Sequence, residues 1–192
     1  MSMTQSKISR RKFVTATAIG AGSLAVASTA KLFAGDKSDF VPTLKNVWIK
    51  SREYFMEFAQ AMPEDKYGFK PTEEVMSFAE QVLHAVGGNF WFFAALKGEK
   101  PPKSEEALKA EGKSKADIIK MVKEADTYGD EFFDGLTETI AHEDAKMGEN
   151  SIAKWKLILF SFDHIAHHRG QLVVYLRLNG IKPPQYRSGY FG

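Results

Sequence analysis

Two of the five histidines in this 192-residue sequence stand one helical turn apart. Residues 163–171 read Asp-His-Ile-Ala-His-His-Arg-Gly-Gln, which puts His164 and His168 four positions from each other. On a helix that spacing sets two imidazoles side by side, about 40° apart around the axis, as a chelate of one metal ion requires. Both belong to a stripe at four-three spacing: Leu157, Ser161, His164, His168, Gln171, Tyr175 and Leu178. Its ends are apolar and its middle is polar, and a polar interruption of a core-facing seam is costly unless its groups are satisfied. His167 is turned about 80° or more from the middle of the stripe, so it reads as a neighbour of the ligands or a surface group.

A further ligand must come from another segment. His84 has Ser77, Glu80, Gly87 and Trp91 at four-three positions around it, and Gly87 and Gly88 follow one turn later. Each glycine inside a helix costs about 1 kcal/mol against alanine. The pair is expected where something must approach that face closely, such as a metal with an open position or a substrate. On residues alone two readings stand: a metal site, or core histidines satisfied by hydrogen bonds. A zincin-type metalloprotease is excluded, because that motif needs Glu directly after its first His and position 165 is Ile. His142 falls in a loop and is assigned no role.

The elements that must carry these residues are helices. A first is expected from Thr43 to Met62, with the inward seam Leu44, Trp48, Ser51, Phe55, Phe58, Met62. A second begins after Thr72 as N-cap and runs to about Leu96, before Gly98 and Pro101-Pro102. A Lys-rich connector follows, and a third helix starts near Ser114 with the stripe Ile118, Val122, Ala125, Gly129, Phe132, Leu136. The fourth runs from about Ile152 to Asn179, stopped by Gly180 and Pro183-Pro184. No alternating apolar pattern of useful length occurs, so no sheet is expected. The reading is an all-α four-helix bundle.

Composition agrees with one globular domain: 44% hydrophobic, 26% charged, 15 Phe. The absence of Cys excludes disulfides, thiolate ligands and a Cys nucleophile. The net charge of +2 hides an asymmetry. Residues 1–34 hold five basic and no acidic groups, so of 26 basic residues 21 remain against 24 acidic ones in the body. A body with a net charge of −3 offers no basic excess to a polyanion, and nucleic acid is not expected as a partner.

Residues 1–34 read as an export signal. Arg10-Arg11 precede Lys12 and Phe13, a weakly apolar stretch runs from Phe13 to Ala30, and small residues end it. The paired arginines resemble the twin-arginine motif. Two Gly and many hydroxyls make a permanent span unfavourable. The chain is therefore expected to meet the membrane only during export and to work in the periplasm or another extracytoplasmic space. Residues 35–192 form the domain.

The body from Phe40 to Tyr186 resembles the DinB/YfiT-like family of metal-binding four-helix bundles. The resemblance rests on Ser77-Phe78-Ala79-Glu80-Gln81-Val82-Leu83-His84, on the run from His164 to Gln171 (H-x-x-H-H-R-G-Q), and on the tail Tyr175 to Pro184. It implies that one His of the second helix and two of the fourth bind one divalent metal: His84, His164 and His168. It also implies an up-down-down-up order with one long crossover, for which Lys97 to Lys113 could serve, and a homodimer. Apolar residues on several sides of the fourth helix (Trp155, Ile158, Leu159, Val173, Val174) point to the same assembly.

Three imidazoles leave one coordination position open, the catalytic rather than the structural pattern. Zn or Ni comes foremost, with Cu or Fe also compatible. Family members are similar to thiol-dependent S-transferases and to hydrolases. The expectation is a metal-dependent enzyme, a hydrolase or thiol-dependent transferase, acting on a small molecule, with a low-molecular-weight thiol as a candidate partner. The alternative is a non-catalytic metal- or ligand-binding protein of the cell envelope. Glu80, Asp163, Gln171 and Tyr175 are candidates to orient a His or touch a substrate. Arg169 is read as a structural salt bridge, and Gly170 as a point of close helix packing.

Overall fold

The computed structural model describes residues 39–187, so the expected export signal at residues 1–34 lies outside the described residues. Five helices and one hairpin follow in order: α1 (Phe40–Ala61), α2 (Phe78–Lys97), α3 (Lys115–Asp134), α4 (Glu138–His142), β1 (Asp144–Met147), β2 (Asn150–Ala153) and α5 (Lys154–Leu178).

The long helices α1, α2, α3 and α5 form the bundle. Their directions follow from two clusters of buried side chains. One joins Tyr54, Phe58 and Met62 at the end of α1 to Phe78 and Val82 at the start of α2, Ile118 and Val122 at the start of α3, and Leu172 and Leu176 at the end of α5. The other joins Leu44 and Trp48 at the start of α1 to Phe93 and Leu96 at the end of α2, Phe132 and Phe133 at the end of α3, and Leu157 and Ile158 at the start of α5. Hence α1 and α5 run one way and α2 and α3 the other. This is the up-down-down-up order, and residues 98–114 make the crossover between parallel α2 and α3.

The inward seams are those of the periodicity. Trp48 is packed edge-on to Phe93 at 4.7 Å and stacked with Phe133 at 5.4 Å. Gly129 admits it, since a Cβ there would stand 2.3 Å from Trp48 Cζ2. Between the two apolar clusters each bundle helix contributes one buried polar residue: Ser51, Asn89, Asp126 and Ser161. Burial raises the Asp126 carboxyl to about 7, with Arg52 opposing and Asp130 reinforcing the shift.

Several local expectations are corrected. α1 begins at Phe40, three residues before Thr43. α2 begins after Ser77, not Thr72. Ser77 Oγ accepts from the Glu80 N–H, and Glu80 Oε2 accepts from the Ser77 N–H at 2.6 Å, a complete capping box. Contrary to the expectation of no sheet, residues 144–153 form an antiparallel hairpin turned at Gly148, whose φ is +61°. Its strands have four residues each, too short for alternation to register in the sequence. The second strand delays α5 to Lys154. Among the described residues no helix is long and apolar enough to cross a membrane.

Candidate metal centre

α2 and α5 pack together in the bundle, and that contact brings His84 to His164 and His168. Each offers one ring nitrogen, and the three nitrogens lie within 4.8 Å of one another. Burial deepens along the set: His84 is exposed, His164 half-buried and His168 buried.

His168 is held on both sides. Its Nδ1 lies 2.8 Å from Gln81 Oε1 and 2.9 Å from Gln171 Oε1. Both amide oxygens are acceptors, so Nδ1 carries the proton and Nε2 presents its lone pair. That lone pair faces His164 Nε2 at 3.2 Å. Two nitrogens bound to one tetrahedral ion at about 2.0–2.1 Å stand about 3.4 Å apart. The pair is thus already spaced as ligands of one metal, and the three histidines could hold a metal ion.

His164 owes its place to a missing side chain. A Cβ at residue 88 would stand 2.3 Å from His164 Cε1 and 2.8 Å from its Nδ1. The ring also packs edge-on to Phe92 at 5.4 Å. Its buried Nδ1 has no hydrogen-bond partner. From the sequence, both glycines are expected to admit a metal or substrate. The structure gives Gly88 to the His164 ring and Gly87 to Leu108, whose Cδ1 would lie 2.9 Å from a Cβ there.

Burial lowers both His164 and His168 to about 4. Neighbouring imidazoles add to the effect: His84 foremost for His164, and His164 foremost for His168. Two of the three rings are therefore neutral at pH 7, the form that binds a metal.

The remaining candidate residues separate. Gln171 bonds His168 directly. Tyr175 donates to the Met76 carbonyl at 2.6 Å and interacts with the Gln81 side chain, so it reaches His168 only through Gln81. Glu80 caps α2; that hydrogen bonding holds its carboxyl below the usual range, and Lys70 lies 3.7 Å away. Asp163 is exposed and acts on His164 through its charge alone. His167 is exposed with its ring 5.0 Å from that of His168. His142 bonds the Glu138 carbonyl at the end of α4. The Arg169 guanidinium lies 4.7 Å over the Tyr54 ring, a cation–π contact. A Cβ at Gly170 would meet nothing within 4 Å, so that glycine serves no packing inside the described chain. Gln81 was missed. Its signal was its place three residues before His84, but nothing local pairs it with His168, 87 positions away.

A cavity of about 860 Å3 opens beside His84 and His164. Leu83, Phe90, Trp91 and Phe92 line it from α2, and Leu108 and Ala110 from the crossover.

Comparison with known proteins gives a consistent frame. Residues 36–190 match the model of the DinB family. No curated protein matches the chain. Among solved structures, a DinB-like protein from Bacillus subtilis is similar at 24% identity with a TM-score of 0.63, covering 75% of this chain and 97% of that one. A DinB-like protein from Bacillus cereus is similar at 16% identity with a TM-score of 0.62, covering 73% and 93%. A conserved protein from Enterococcus faecalis follows at 16% and 0.58, covering 70% and 94%. At these identities the likeness speaks for the fold.

Proposed function

The chain belongs to the DinB family, and on that premise we propose that it binds one divalent metal, Zn or Ni, through His84, His164 and His168 and acts as a metal-dependent enzyme on a small molecule. The observation that carries this reading is the 3.2 Å approach of two Nε2 atoms, one with its tautomer fixed by two amide oxygens. A bound divalent ion would supply Lewis acidity at an open coordination position.

The chain's own residues do the rest. Gln81 and Gln171 orient His168, Gly88 makes room for His164, and the apolar wall of the cavity keeps water from the ligand's body. Glu80 is the one carboxylate lining the cavity from α2, and its low pKa and capping role make it a poor proton acceptor. This weakens a hydrolase relative to a thiol-dependent transferase, where the nucleophile would bring its own reactive group. An export route speaks the other way, since small thiols are scarcer outside the cytoplasm. A non-catalytic metal- or ligand-binding protein of the cell envelope is the second reading, and the absence of a general base within the histidine motif itself favours it.

Metal content per chain after purification without added metal tests the centre, in the wild type and five single His→Ala variants. His84→Ala, His164→Ala and His168→Ala should empty the site, while His167→Ala and His142→Ala should leave it full, with circular dichroism as the folding control. Wild-type chain that takes up no metal overturns the reading. A screen with low-molecular-weight thiols then separates transferase from hydrolase. Export is tested by replacing Arg10 and Arg11 with Lys, which should keep the precursor inside the cell. N-terminal sequencing of exported chain should find a start between Ser28 and Gly35.

A further inference from the structure

The cavity beside the histidines has a direction. Its α2 wall is one helical stripe, and Trp91 lies two turns beyond His84, about 10 Å along the axis. Trp91 is 42% exposed, a large aromatic left partly open to solvent at the cavity. The facing wall is the crossover, seated by Leu108 on Gly87.

The charges on that wall are unevenly spent. Lys103 and Lys109 both line the cavity, but Lys103 is paired with Glu124 at 2.6 Å and Lys109 with Glu106 at 2.6 Å. Glu80 is tied to Ser77 and Lys70. Glu105 and Glu111, which flank Leu108 and also line the cavity, have carboxylates without an ion-pair or hydrogen-bond partner among the described residues. An open indole and an uncompensated carboxylate on one cavity are the chemistry that holds an organic cation.

Resting on the metal reading above, we propose that the cavity's ligand is an elongated apolar amine. Its lone-pair donor end faces the three imidazoles. Its apolar middle lies between Leu83 and Leu108. Its ammonium end lies toward Trp91 and Glu105, the carboxylate that precedes Leu108 on the crossover. An anionic end there would meet Glu105 with both lining lysines already engaged.

The test uses the full chain stripped of metal, so that coordination cannot favour a carboxylate. Phenylbutylamine, phenylbutyrate and phenylbutanol share one apolar body and differ in charge. Calorimetric titration should show the amine binding about tenfold tighter than the carboxylate, with the alcohol between them and the preference shrinking in high salt. Glu105→Gln should cut the preference to about threefold or less, and Glu111→Gln, on the far side of Leu108, should change it less. Trp91→Leu should weaken the amine more than the alcohol. Equal or tighter binding of phenylbutyrate, an undiminished preference in Glu105→Gln, or no binding of any probe overturns the proposal. Zinc uptake by the same preparation reports separately on the metal. Amine preference without zinc uptake overturns the metal reading alone, and zinc uptake without amine preference overturns the ligand class alone.

Discussion

The Cβ that Gly88 lacks would stand 2.3 Å from Cε1 of His164. The glycine therefore keeps an imidazole in place on the neighbouring helix. Gly88→Ala should gain about 1 kcal/mol of intrinsic helix propensity and yet displace the His164 ring. Metal affinity, measured by chelator competition, is expected to fall at least about tenfold while helical content is unchanged. Gly87→Ala should instead press on Leu108 and leave the metal affinity close to wild type.

Gln81 and Gln171 share the His168 Nδ1–H. Either one alone can fix the tautomer, so single Leu substitutions should cost little. Gln81→Leu with Gln171→Leu should lower metal affinity about 10–100-fold, more than the two single effects combined. Near-additive losses would count against shared support.

Apoprotein stability should peak near pH 6.5. His164 and His168 fall from 6.5 to about 4 on folding. The unfolded chain thus binds more protons in that window, and their contribution is present above 6.5 and lost as pH falls through 4. Asp126 runs oppositely: raised from 3.8 to about 7, it contributes below 3.8 and loses that contribution as pH rises through 7. Between 4 and 6.5 two groups outweigh one, so stability should fall on acidification by about 1 kcal/mol per pH unit. Above 6.5 only the Asp126 decline remains. Urea unfolding of chelator-treated chain should show both limbs, and Asp126→Asn should remove the alkaline one.

A homodimer is expected through one face of α5. Ile158, among the residues that suggested it, is fully buried, and Trp155 and Val173 pack partly into the bundle. Exposed on one side of α5 are Leu159, Phe160, Val174 and Leu178, with Ala166 and Gly170 between them. These apolar side chains share their face with the exposed Asp163 and His167, and its small residues suit close approach of a second α5. Light scattering should give twice the chain mass for the wild type and a monomer for Val174→Glu combined with Leu178→Glu. A wild-type monomer at micromolar concentration would refute it.

The sequence by itself determined the helices and their faces. Periodicity set the seam from Leu44 to Met62, Gly and Pro placed the breaks, and four-residue spacing put His164 and His168 side by side, because all three depend on neighbours within a turn or two. The box from Ser77 to Glu80 was equally local, and the start of α2 was legible there. Only the tertiary structure decided what met across the bundle. Gln81 reaches His168 across 87 positions, His164 fills the space left at Gly88, and Leu108 of the crossover closes on Gly87. The hairpin at 144–153 likewise forms where the chain must turn between α4 and α5, with strands too short to show a period. Helix faces follow from local spacing, whereas these contacts follow from how two faces are registered against each other, and no short-range pattern encodes that register.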